Sequence, residues 1–169
     1  MSKIDTSKQP SHIRIGLEKR KTSIRLRLRW NTAPKTCAGL LGLMPISHQV
    51  WHAKYANNEI YTLSRLPDPE PPRESLSVYP SRGDLVYLPL HEGIPVPGGV
   101  PGVGDGDRAL DVAYFYEAGN SLLSGPHGPI AGTIVATAET LDDIEEMAEA
   151  CRDVWFAGAA GEQFWLKAD

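Results

Sequence analysis

Near the start of the chain apolar and polar positions alternate. Ile13, Ile15 and Leu17 share one side, while His12, Arg14 and Glu18 fall outside it. After a basic turn, Lys19 to Thr22, the residues Ile24, Leu26, Leu28 and Trp30 alternate with Arg25, Arg27 and Arg29. A period of two marks a half-buried strand, so this region reads as an opening hairpin. The arginine row reads as a solvated outer face that also discourages edge pairing, ahead of a phosphate-binding surface. At Cys37 the period changes. Cys37, Leu40, Leu41 and Met44 stand at i, i+3, i+4 and i+7, the stripe of a helix over about 33–44. Pro34 suits its first turn, Thr32 is placed to cap it, and Pro45 ends it. Gly39 and Gly42 lower helix propensity but allow a neighbouring strand to approach closely.

Beyond the helix, 48–54 reads as a strand with Val50, His52 and Lys54 on one face and Gln49, Trp51 and Ala53 on the other. Asn57-Asn58 is a turn signal, because Asn tolerates positive φ, and Glu59 to Leu63 pairs back. Four prolines between Leu66 and Glu74 make an extended connection. Arg82-Gly-Asp84 has the form of an integrin motif but reads as an ordinary turn. It precedes a strand from Leu85 to Leu90. The stretch HEGIPVPGGVPGVGDGDR, 91–108, excludes regular structure and reads as a functional lid or an unstructured loop. Asp105 and Asp107 lack the terminal glutamate of a calcium loop. Strands follow at Leu110 to Glu117, where Leu110, Val112, Tyr114 and Tyr116 alternate with Asp111, Ala113 and Phe115, and at Ile130 to Ala138. Thr140 with Asp143 resembles a capping box and opens a helix over 141–157. Its buried face is expected to be Leu141, Ile144, Met147, Ala148, Cys151 and Trp155, with Gly158 as the stop. Gln163 to Lys167 supplies a last strand.

The run from Asn31 to Leu43, NTAPKTCAGLLGL, resembles the first helix of cyclophilins, where an Ala-Pro-Lys-Thr segment follows the opening hairpin. The continuation, Trp51-His-Ala-Lys-Tyr and Asn58-Glu-Ile-Tyr61, is closer to uncharacterised bacterial proteins of cyclophilin-like fold. The likeness extends well over 13–63 and returns weakly at 82–87 and 119–138. It implies a mainly β protein: a closed cyclophilin-like β-barrel with two α-helices, 33–44 and 141–157. The expected organisation is an N-terminal arm at 1–11 and one domain over 12–169. Cyclophilins isomerise prolyl bonds with an arginine and a Phe-Met-x-Gln run on the strand after the first helix. Here that strand reads Val50-Trp-His-Ala-Lys, so the resemblance implies the scaffold without that activity. Other cyclophilin-like barrels, in 5-oxoprolinase and allophanate hydrolase-type systems, imply a pocket for a small polar ligand.

Composition narrows this reading. The chain has 169 residues, 41% hydrophobic and 22% charged, enough for one sizeable core. A formal net charge of -4 argues against a nucleic-acid partner. No run of eighteen apolar residues occurs, so no membrane partner is expected and a cytoplasmic location follows. Cys37 and Cys151 lie on apolar helix faces and read as buried thiols. Three histidines without paired spacing do not make a zinc site, and neither metal nor cofactor is expected.

The candidate catalytic residues are His52, Glu59 and His127; the candidate ligand-binding residues are Trp51, Tyr61, Phe115, Tyr116, Gly125 and Gly128. His52 and Glu59 flank a hairpin turn, so they can pair as a general base with an orienting carboxylate, or as plain cross-strand neighbours. His127 sits between Pro126 and Gly128 in a stiff loop, with glycine N–H groups nearby for an anion. The leading expectation is a binder of a small polar molecule that hydrolyses a small amide or lactam. A non-catalytic binding or homo-oligomeric assembly subunit is the alternative. A divergent prolyl isomerase, using Arg65 or Arg108, ranks third.

Overall fold

The computed structural model describes residues 6–123 and 128–169. Ten strands and two helices follow a 3-10 turn at Thr6–Lys8. The strands are β1 His12–Leu17, β2 Thr22–Leu28, β3 Ile46–Gln49, β4 Trp51–His52, β5 Glu59–Arg65, β6 Leu76–Ser77, β7 Asp84–Pro89, β8 Ala109–Phe115, β9 Gly132–Ala138 and β10 Gln163–Ala168. The helices are α1 Pro34–Leu41 and α2 Leu141–Ala157. All the pairings are antiparallel, in the order β3-β10-β1-β2-β9-β7-β8-β5-β4, with β6 added beside β9. The fold is therefore mainly β with two helices, as expected. The two ends of the sheet path, β3 and β4, are consecutive in the chain and separated by Val50. The Val50 N–H donates to the Glu162 carbonyl (3.1 Å) and the Thr62 hydroxyl to the Gln49 carbonyl (3.0 Å).

Side-chain parity sorts the core into two layers. Leu85, Tyr87, Leu110, Val112, Tyr114 and Ile60 point to one side of the central strands, where α2 contributes Ile144, Met147, Cys151 and Val154. Val86, Leu88, Ala109, Ala113, Phe115 and Leu63 point to the other, under the loop of 91–108. Strand β8 is buried at every position. A strand covered on both faces reads as continuous apolar sequence, which leaves any polar side chain within it conspicuous.

The arginine row on β2 is a solvated, ion-paired face. Arg25 meets Asp169 (2.5 Å), Arg27 meets Glu139 (3.1 Å), and Arg29 donates to Thr137 Oγ1 (3.0 Å). Gly83 (φ +88°) turns the chain before β7; a Cβ there would stand 3.0 Å from Ile144 Cδ1. Asp84 is buried and accepts from the Ser81 N–H and the Thr137 hydroxyl (both 2.8 Å), so Arg82-Gly-Asp84 is the expected structural turn. Asn57 takes φ +65°, as its turn required.

Four details correct the sequence reading. Helix α1 is shorter than 33–44, and Ala33, not Thr32, is its N-cap. Its free N-terminal donors are met from a distance: Glu74 Oε2 accepts from the N–H of Lys35 (3.0 Å), the N–H of Thr36 (2.9 Å) and the Thr36 hydroxyl (3.0 Å). Gly39 makes room for Pro71, 3.2 Å from where a Cβ would sit, and not for a strand. The proline-rich connection thus packs on α1 and caps it. In α2, Thr140 accepts from Asp143 N–H (3.1 Å) as expected. Leu141 (73% exposed) and Trp155 (54%) nevertheless leave the buried face, because Val154 takes the place assigned to Trp155. Replacing the capping carboxylate, Glu74→Ala, is expected to destabilise the protein by about 1–2 kcal/mol in urea unfolding, with Glu74→Gln losing less.

Candidate functional site

Because successive residues of a strand face opposite ways, the candidates divide by parity. Register pairs Trp51 with Tyr61, His52 with Ile60, and Glu59 with Phe115. Trp51, Glu59, Tyr61 and Phe115 therefore share the side under the 91–108 loop, while His52 and Tyr116 share the side facing α2. The expected His52–Glu59 pair does not form. Glu59 stands diagonally past Ile60 and on the other face.

His52 has its own environment. Its Nδ1–H donates to the Ala53 carbonyl (2.9 Å), which leaves Nε2 to accept from the Tyr116 hydroxyl (2.7 Å). The ring lies 4.7 Å from that of Trp155, centroid to centroid. Both nitrogens are engaged in the neutral tautomer, and burial lowers the imidazole's pKa below the ordinary value. Burial pushes the Tyr116 phenol up to about 12. This cluster pins the end of α2 to the sheet.

The other side of the sheet holds a cavity of about 410 Å³. Its floor is Glu59, Tyr61 and Leu63 of β5 with Asp111 of β8; Leu88, Leu122 and Ile130 form walls, and Ile94, Pro95 and Pro97 the roof. Lys54 and Tyr55 stand exposed at the rim. The Gly/Pro-rich loop is thus a cover for this floor. Its prolines and alternating apolar residues pack without needing a hydrogen-bonded ladder. Trp51 lines a smaller adjoining hollow of about 180 Å³ that shares Leu63 and Pro97, and Phe115 lies behind the floor, fully buried. A third hollow, about 690 Å³ and more polar, holds Arg65, His91 and Arg108 on the far side of Ile94.

Within the 410 Å³ cavity two carboxyls are almost out of solvent: Glu59 is 3% exposed and Asp111 8%. Asp111 Oδ1 has no hydrogen-bond partner, and neither group meets a cation among the described residues. Burial raises both pKa values well above the carboxylate range, and for Glu59 the Asp111 charge raises it further. The Tyr61 phenol is raised by burial and then by both carboxylates. An ionised carboxylate in an apolar cavity without a partner is strongly unfavourable. With no cation beside it among the described residues, the pair favours its protons.

Asp111 was missed in the sequence. The signal was available: it is the one acidic residue in a strand whose other positions are apolar on both parities, so no solvent-exposed face remained for it. His127 and Gly125 lie outside the described residues. Gly128 takes φ +81° near the cavity but does not line it. Burial pushes the Cys37 thiol up to about 12 and raises Cys151, so both are inert buried thiols. No group of metal-ligating side chains occurs among the described residues, and no helix among them is long and apolar enough to cross a membrane.

The mainly β architecture is shared with a solved structure, that of McbB in complex with tryptophan. The TM-score is 0.58 at 17% sequence identity, over 93% of this chain and 44% of that one. The likeness spans less than half of McbB and shows a common fold. The chain belongs to the family described as protein of unknown function DUF3830, whose model matches residues 15–166. No curated protein matches it in sequence.

Two outcomes follow from the raised and lowered groups. Stability from the carboxyl pair is fully present at low pH, where both are protonated folded or unfolded, and is lost as pH rises from about 4 toward the folded values. Asp111→Asn is therefore expected to raise stability at pH 8 by about 1 kcal/mol and to flatten the pH 5–8 slope measured by urea unfolding. His52 runs the opposite way: its contribution is complete above about pH 6.5 and falls as pH drops toward its lowered folded value. His52→Gln is expected to be less stable at pH 8 and to lose less on acidification to pH 5.5 than the parent does.

Proposed function

We propose that this protein binds a small molecule in the cavity floored by Glu59, Tyr61 and Asp111 and covered by the 91–108 loop. The observation that carries this reading is the buried carboxyl pair, which meets no cation among the described residues in an otherwise apolar cavity. Such groups destabilise the empty protein, and fixed polar groups at the bottom of an apolar hollow are how ligand sites gain orientation. The cavity volume lies in the range of small-molecule sites. McbB, which shares the fold, has been solved with tryptophan bound, and this supports a scaffold that accommodates compact ligands. We take the scaffold itself as a closed cyclophilin-like barrel. Support comes from the stretch 46–52, whose first half pairs with β10 and whose second half pairs with β5.

Amide or lactam hydrolysis by His52 with Glu59 has no geometric basis, since the two face opposite sides of the sheet. His127, the other candidate base, lies outside the described residues, and the reading put forward is a binding protein. It is tested by amide-resolved NMR with a fragment library, on the parent and on Ala53→Trp, which fills the half-exposed rim. Fragments are expected to shift resonances of Tyr61, Leu122 and Ile130 in the parent and to lose those shifts in the variant, with the fold unchanged by circular dichroism. Fragments that shift other surfaces only, or that bind the variant equally, contradict the reading.

A further inference from the structure

We infer that the ligand of this cavity is a primary amine on a compact apolar, preferably aromatic, body, with no carboxylate next to the amine. The inference rests on the small-molecule reading above and specifies its ligand class. The argument begins with charge. Glu59 and Asp111 are both more than nine-tenths buried and both line the cavity, and Asp111 Oδ1 has no partner among the described residues. Once ionised, the two carboxylates only accept hydrogen bonds, so a ligand that binds the pair in that form meets it with a donor, and a cationic donor gains most where water is excluded. A protonated amine carries three donors on one small head, enough to engage both carboxyls. One proton released from the pair to solvent as the ammonium enters compensates its charge; the raised proton affinity of both groups is a cost of this exchange, which the charge-assisted hydrogen bonds offset.

The remainder of the cavity sets the body of the ligand. Leu63, Leu88, Leu122 and Ile130 offer an apolar wall, with Tyr61 beside the carboxyls and Pro95 and Pro97 above. This suits a flat hydrophobic ring better than a polar chain. A carboxylate on the carbon that bears the amine would be carried onto the buried acid pair, where a like charge is repelled once the pair ionises. Lys54, the cation of the lining, is exposed at the rim and enters neither carboxyl's electrostatic surroundings. A free amino acid is thus the disfavoured form of the same skeleton. This separates the expected ligand from the tryptophan bound to McbB, although the fold is shared.

The test is calorimetric titration at pH 7.5 with two skeletons bearing different heads. The first set is tryptamine, tryptophan, tryptophol and 3-indolepropionate; the second is 2-phenylethylamine, phenylalanine, 2-phenylethanol and 3-phenylpropionate. In at least one set the amine is expected to bind about tenfold or more tighter than the alcohol, the acid and the amino acid. Glu59→Gln and Asp111→Asn are each expected to reduce the amine's advantage over the alcohol to less than about threefold. Because Asp111→Asn removes the cost of keeping a buried carboxyl protonated, it also serves as the well-folded variant. Lys54→Ala is expected to leave amine affinity unchanged or slightly tighter. If the alcohol, acid or amino acid binds as well as the amine, the amine inference is overturned and the small-molecule reading stands. If no head group of either skeleton binds, both are overturned.

Discussion

A carboxylate needs water, a cation or donors, and Asp111 has been placed in a strand where burial on both faces denies it the first. The rest of the protein can be understood from how β8 comes to be covered twice. On one side its Leu110, Val112 and Tyr114 meet the apolar stripe of α2. On the other, Asp111, Ala113 and Phe115 meet no helix among the described residues; the proline-rich loop that follows β7 and the segments carrying Ala56, Leu122 and Ile130 cover them. A loop without a hydrogen-bonded ladder packs less completely than a helix, and the incomplete packing is the cavity. The acid pair lines that cavity, almost out of reach of solvent.

The two sides have different chemistry for this reason. Beneath α2, the imidazole and the charged groups are matched, with both His52 nitrogens engaged and Glu117 paired with Arg152 and Arg82, while the Tyr87 and Tyr114 hydroxyls lie buried without a partner among the described residues. Beneath the loop, Glu59 and Asp111 meet no cation among the described residues, and the proposed ligand is what would engage them. A protein held only by selection for stability would replace such a pair with apolar residues. Local conflict with folding is the ordinary mark of a site shaped by function.

Much of the fold was legible in the sequence because period is a strong signal. The opening hairpin, α2 with its Thr140 cap, the last strand and the irregular 91–108 loop follow from alternation, capping and the density of Gly and Pro. What escaped was long-range. Nothing local to α1 announces that Glu74, far along the chain, caps it. The reading of His52 opposite Glu59 failed on a single residue of register, since a shift of one moves a side chain to the other face. Glu59 and Tyr61 did emerge beforehand as candidates. Asp111 did not, because its acidity was weighed as one half of an alternating pattern and not against the apolar Ala113 and Phe115 on its own face.

The most direct measurement is the ionisation of the pair itself, by carbon-detected NMR of the Glu59 and Asp111 carboxyl carbons across pH 3 to 9 in the free protein. The account requires both to titrate well above the ordinary carboxylate range, with the ionisation of one displacing the other, and to shift toward lower pH when a ligand cation occupies the cavity. Simple independent titration near pH 4 for both would mean that water or a protein cation reaches them, and the cavity would lose its claim to be the site.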